Sequence, residues 1–234
     1  MINPHYVGYA DAVYASQLQE RHIDIITNNL ANVNTPGFKA DRMIFDDLMT
    51  RQVRTIYRQG SLNQTENLFD VAISGQGYFQ VQTDLGVRLT RDGALRMQAN
   101  GALVDSSGNA VLGAGGAPIT LNPTGGQVKF DDRGGIYQGS EKVGELGVVN
   151  VADPNTLEKV GKNYYVGAGG VEPQSAPATE YSLVQGALET SNVDVVTEMV
   201  NMISAFRSFE SYQKIIQTIN EMDSRAATQV GRVG

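Results

Sequence analysis

Twenty-two of the 26 glycines in this 234-residue chain lie between Gly60 and Gly186, and this asymmetry restricts the folds open to it. A glycine inside a helix costs about 1 kcal/mol relative to alanine, so the middle is poor helix material. The two ends, nearly free of glycine, can be helical. Charge is partitioned the same way: residues 1–59 hold six basic and six acidic groups, while residues 60–186 hold 8 and 13. The order reads helix, β domain, helix, an α+β chain.

Composition excludes several functions. Without cysteine there is no disulfide framework, thiolate metal site or thiol nucleophile. A net charge of −7 argues against general nucleic-acid binding. The longest charge-free run, residues 106–128, contains six glycines and two prolines and would not insert into a membrane as a helix. Asp11, Glu20 and Arg21 interrupt any apolar core of a secretory signal, so a cleaved signal peptide is not expected.

Val7, Ala10, Tyr14, Leu18 and Ile25 fall near a helical period, and Tyr6, Val13, Ile23, Ile26 and Leu30 form an offset row. Pro36-Gly37 suits the centre of a type II turn and stops the helix. Just before it, Asn28, Asn29, Asn32 and Asn34 crowd seven positions. Asparagine competes for backbone partners inside helices. Capping and turn chemistry can account for Asn32 and Asn34; for Asn28 and Asn29 a hydrogen bond to a packed neighbour is expected.

Toward the C-terminus Val195, Met202, Phe209 and Ile216 recur every seven residues, with Met199 and Phe206 four after the first two. This predicts a helix of about three heptads and more, with an apolar seam that must pack on a partner. The N-terminal helix is the intramolecular candidate. Ser191 and Asp194 have capping-box spacing.

Between the helices, Phe69, Val71 and Ile73 alternate, and short apolar runs are separated by Asp92-Gly93, Asn100-Gly101 and Ser107-Gly108. These dipeptides favour tight hairpins, and their spacing is that of a meander or sandwich.

Chemical motifs are weak throughout. His5 and His22 lack partners for a metal set. Asp46-Asp47 and Asp131-Asp132 read as solvated turns, and residues 105–109 resemble a calcium loop without its later glutamate. Neither Gly-Ala-Gly-Gly run is followed by the Lys-Ser/Thr pair of a phosphate loop. No cofactor, no metal and no enzymatic activity are expected.

Three separated segments then resemble one family. Residues 28–39 (NNLANVNTPGFK), residues 70–81 (DVAISGQGYFQV) with TRDG at 90–93, and residues 186–210 (GALETSNVDVVTEMVNMISAFRSFE) are similar to the signatures of bacterial flagellar rod and hook proteins. The resemblance implies terminal helices pairing as a coiled coil, residues 1–35 with 190–234, a connecting segment at 36–68 and a central β domain at 69–189. It implies a structural subunit of the basal-body rod that polymerises through its helices into a torque-transmitting shaft across the periplasm. The short link between Phe45 and Gly60 and the Arg-Phe-Glu-like run at 207–210 favour the proximal rod type over the distal or hook type. Implied partners are neighbouring rod subunits, copies of the chain itself and the flagellar type III export apparatus, with no nucleic acid and no membrane insertion. Asn28, Asn29, Leu30, Asn32 and Asn34 would join axial contacts. Val195, Met199, Met202, Phe206, Phe209 and Ile216 would form the helix-pair seam. A secreted carbohydrate-binding β-sandwich and a carboxylate-pair glycan hydrolase are the readings from other classes.

Overall fold

The computed structural model describes residues 4–45, 51–161, 163–170 and 175–230. It is an α+β chain with one long helix at each end, α1 (Pro4–Ala31) and α2 (Val195–Val230), and strands between them. By internal packing it divides into a helical unit, residues 1–31, 43–52 and 194–234, and a β unit, residues 32–42 and 53–193.

Within the helical unit, α1 and α2 pack against each other. Gln213 Nε2 donates to Ser16 Oγ at 2.9 Å, and Asn29 Nδ2 donates to Glu198 Oε1 at 3.0 Å. Advancing along α1 thus means retreating along α2, so the helices run antiparallel. Asp194 caps α2: its Oδ1 accepts from Thr197 N at 3.0 Å, and its carbonyl accepts from Glu198 N at 2.9 Å. The helix therefore starts after Asp194 rather than after Ser191. Ser191 Oγ accepts from Val193 N at 3.3 Å instead. The reason is Asn192, whose amide hydrogen-bonds Ala40 N, Ile56 O and Arg58 O and holds this stretch extended.

The β unit is antiparallel in every pairing described. Its largest sheet runs Leu157–Val160, Tyr164–Gly167, Gly86–Thr90, Tyr78–Thr83, Ala110–Val111, Leu103–Val104, Arg96–Met97. Val148–Asn150 also joins Tyr78–Thr83. A three-stranded meander, Val128–Phe130, Gly135–Gln138 and Glu141–Glu145, stands separately. Tyr181–Gln185 pairs with Val71–Gly75, and Ala187–Glu189 with Leu62–Gln64. The expected connecting stretch thus carries strands of its own, Asp41–Phe45, Arg51–Thr55 and Leu62–Gln64.

Phe79, Val81, Leu103, Ile136, Ile73 and Leu146 are closed to solvent in the main core. Each such side chain contributes about 1.5–3 kcal/mol of burial. A second cluster gathers Tyr78, Tyr165, Leu89 and Leu157. Gly101 and Gly108 take left-handed φ of 85° and 94°, as the hairpin reading requires. Asp92-Gly93 does not form such a turn. Gly93 is kept small by crowding, since a Cβ there would lie 1.7 Å from Val71 O.

Candidate functional site

Lys39, Arg91 and Glu189 come from three distant segments of the β unit and meet in one buried ion cluster. Gly37 makes the approach possible. Its left-handed φ of 67° completes the turn after Pro36, and a Cβ there would lie 2.5 Å from the Arg91 carbonyl carbon. The chain then runs inward, with Phe38 and Lys39 each 1% exposed. Lys39 Nζ donates to Glu189 Oε1 and, at 3.0 Å, to Arg58 O. Arg91 Nη1 reaches Glu189 Oε2 at 3.2 Å, and its Nη2 donates to Gly75 O at 2.8 Å. Gly60 N also donates to Glu189 Oε1 at 3.0 Å. The Arg91 guanidinium lies 5.3 Å from the Tyr78 ring centroid.

Burial lowers the pKa of the Lys39 ammonium against the pull of the Glu189 carboxylate, and the charge of Arg91 pushes the same way as burial. A second pair flanks the cluster: Lys159 Nζ sits 3.0 Å from Asp41 Oδ2, 2.7 Å from Lys39 O, and 3.5 Å from the Phe38 ring centroid. These bonds fasten residues 37–41 to chain 100 and more positions downstream. Their work is structural: the Lys39, Arg91 and Glu189 side chains are buried and the Lys159–Asp41 pair half-buried, each held in hydrogen bonds to neighbouring chain.

An open cleft of about 450 Å3 lies at the Asn34–Pro36 turn, lined also by Asp92, Ser106, Asn163 and Tyr164. Burial pushes the Asp92 carboxyl up from its ordinary value, while bonds from Ala94 N, Ser106 Oγ and Asn163 Nδ2 pull it down. Asp105, in the calcium-loop-like stretch, directs its oxygens to Ser107 N, Asn109 and the Tyr164 hydroxyl. Among the described residues no group of three or more His, Asp or Glu side chains could hold a metal ion. Asp131 binds Arg133 N and Gly135 N within its turn. Asp46 and Asp47 lie outside the described residues.

The helical unit presents the other distinctive surface. On α2 the covered face runs through Glu198, Met202, Ala205, Phe209, Tyr212, Ile216 and Ile219, spaced alternately by four and three. Of the six α2 residues singled out from sequence, Met202, Phe209 and Ile216 belong to this face. Val195, Met199 and Phe206 are exposed by 38%, 56% and 46%, and so are Val196, Val200 and Ile203. Together these six form a second apolar face over the first three turns of α2. Farther along that side of the helix, Arg207, Glu210, Lys214 and Glu221 are exposed instead, and the exposed Ile215 and Met222 lie off it. Among the asparagines, Asn29 is buried on Glu198, Leu30 beside it is half-buried, and Asn28 and Asn34 are exposed. Asn32 Oδ1 accepts from the Thr35 hydroxyl at 3.1 Å, a turn bond. Sequence reasoning does not find the ion cluster. Its only trace there is that Lys39, Arg91 and Glu189 each stand inside one of the three family-like segments.

Family patterns described as flagella basal body rod protein, flagellar hook protein FlgE/F/G D1 domain, and flagellar basal body rod FlgEFG protein C-terminal match residues 12–39, 72–138 and 184–229. The flagellar basal-body rod protein FlgF of Caulobacter vibrioides is 33% identical over the whole of both chains. That of Mesorhizobium japonicum is 35% identical, covering 93% of this chain and 95% of its own. The rod protein FlgG of Buchnera aphidicola subsp. Schizaphis graminum is 34% identical over 87% and 92%. The chain belongs to the flagellar basal-body rod protein family. These relatives are rod proteins, not enzymes.

Proposed function

We propose that this chain is a structural subunit of the flagellar rod, of the proximal type, and that it polymerises through its terminal helices into the torque-transmitting shaft. The observation that carries the reading is the second apolar face of α2. Val195, Val196, Met199, Val200, Ile203 and Phe206 are exposed although the helix already has a partner in α1. A three-turn apolar face next to a charged continuation is a contact surface with a defined end. Alignment over the full length of a FlgF relative supports the proximal type.

In this reading the four-three spacing on α2 is the seam of a coiled coil with α1, within an assembly domain of residues 1–35 and 190–234. Met202, Phe209 and Ile216 hold that pair together, and Val195, Met199 and Phe206 face a neighbouring subunit. Residues 36–68 connect to the β domain at 69–189, which forms the outer layer. Repetition of one heterologous contact without ring closure gives a filament. Asn28, Asn32 and Asn34 border axial contacts, and Asn29 and Leu30 position them from within α1. The flagellar type III apparatus exports the chain without a cleaved signal peptide, and the rod crosses the periplasm. Among the described residues no helix is long and apolar enough to cross a membrane.

The test is Phe206→Asp, introduced in place of the native copy. It should abolish incorporation into basal bodies and motility while the purified variant keeps its β-sheet circular dichroism. Normal swimming by that strain would defeat the reading.

A further inference from the structure

We propose that Lys39, Glu189 and Arg91 form a closure clasp, which makes the folded form of Asn32–Arg42 conditional on docking of the strand Ala187–Glu189. This segment has few bonds of its own. Thr35 N to Asn32 O and Phe38 N to Thr35 O are its local backbone hydrogen bonds. Three more run to residues 189–192: Gly37 N donates to Glu189 O, Ala40 N to Asn192 Oδ1, and Asn192 N to Phe38 O. Ile56 N to Ala40 O, Lys39 Nζ to Arg58 O and Lys159 Nζ to Lys39 O tie it elsewhere. Without the residues from 189 to 192 the segment loses the acceptors for Gly37 and Ala40.

Charge makes the dependence sharper. Two cations share one carboxylate, and among the described residues no second carboxylate pairs with either of them. The site is closed, with the Lys39 and Glu189 side chains 1% and 0% exposed. Before Glu189 arrives, a folded segment would hold two like charges together out of water. Arg91 keeps carbonyl partners of its own, Gly75 O at 2.8 Å and Ile73 O at 3.5 Å. Lys39 has fewer, so its segment is the part that leaves and takes the ammonium into solvent. Glu189 lies 150 positions after Lys39. A chain emerging N-terminus first cannot fix this loop until Glu189 and Asn192, about four-fifths of the way along its 234 residues, have appeared. If the rod reading holds, Asn32, Asn34 and the turn at Pro36 reach their assembly form only after the strand Ala187–Glu189 has docked. That consequence rests on the rod reading; the clasp itself does not.

Native-state hydrogen exchange on the purified full chain tests the clasp, separately from the motility test of the rod. In Glu189→Gln, amides of residues 32–42 should exchange about tenfold faster or more, a clearly larger rise than that at Val71–Gly75 and Tyr78–Thr83. Lys39→Met leaves one cation on one carboxylate and should give a distinctly smaller rise. An unchanged rate at residues 32–42 in Glu189→Gln overturns the proposal. So does an equal rise across the core strands, or a Lys39→Met effect as large as that of Glu189→Gln. Should Glu189→Gln not fold, the pair Lys39→Met/Glu189→Gln must fold and show the local rise. Failure of that pair to fold would make the cluster part of the general core, and no clasp.

Discussion

The ammonium of Lys39 and the carboxylate of Glu189, 150 positions apart in the chain, meet in a site closed to solvent. Their pairing gives the β unit a dependence on charge that an apolar contact would lack. Removing one partner of a buried ion pair strands the other. Glu189→Leu should therefore lower stability by about 3–5 kcal/mol, and adding Lys39→Met should return about 1 kcal/mol or more. Urea unfolding of the two variants measures both. If the double variant is less stable than Glu189→Leu alone, the contact is held by packing and not by charge balance.

Gly93 and Gly86 separate two reasons for glycine. At Gly93 a Cβ would meet Val71 O at 1.7 Å; at Gly86 nothing lies within 4 Å, but φ is +102°. Gly93→Ala must push two backbone segments apart and should cost about 3 kcal/mol or more, while Gly86→Ala incurs only the left-handed strain of about 1–2 kcal/mol. Thermal unfolding of the two alanine variants should rank them in that order.

The contrast shows what the sequence exposes and what it hides. Periodicity in a helix is a local property, and α1 and α2 are legible because their apolar rows repeat within one turn. The turns at Gly101 and Gly108 are legible for the same reason, since a left-handed φ is decided by adjacent residues. Asp92-Gly93 has the same dipeptide chemistry, but there a distant strand decides the conformation. Capping-box spacing places the start of α2 three residues early, because Asn192 is bound to Ala40, Ile56 and Arg58, far upstream. The two faces of α2 merge in the sequence for a related reason. A seven-residue repeat shows that Val195, Met202 and Phe209 lie near one side, but only the position of α1 shows which edge of that side is covered. Lys39, Arg91 and Glu189 stand in the sequence as letters in motifs, with no local sign that they touch.

Asp194 controls where α2 begins. Its carboxylate accepts from Thr197 N at 3.0 Å, satisfying one of the helix's open donors. Asp194→Ala should destabilise the helical unit by about 1 kcal/mol, and Asp194→Ser should restore most of it. Helical circular dichroism during thermal melting provides the reading. An unchanged melt in the alanine variant would mean that packing on α1 alone fixes the helix start.

The tyrosines of the β unit supply a pH test. Burial pushes the Tyr57 and Tyr164 hydroxyls up to about 12 from an ordinary 10.0. Tyr78 and Tyr165 are driven farther by the same cause, and the Tyr165 hydroxyl has no hydrogen-bond partner among the described residues. A group whose folded pKa is raised holds its proton longer in the native state. Its contribution to stability is complete below the unfolded pKa and is lost as pH rises through the folded one. The β unit should thus lose stability from about pH 10 upward, most steeply between the unfolded value of 10.0 and the folded value of about 12. Tyrosinate absorbance from Tyr78 and Tyr165 should then appear together with loss of sheet structure and not before it. Tyr165→Phe removes a buried hydroxyl without a partner, keeps the ring against Tyr57 and Tyr78, and should raise the alkaline unfolding midpoint. A lower midpoint in that variant would show that the hydroxyl is bonded in solution, and would remove Tyr165 from the groups that drive alkaline unfolding.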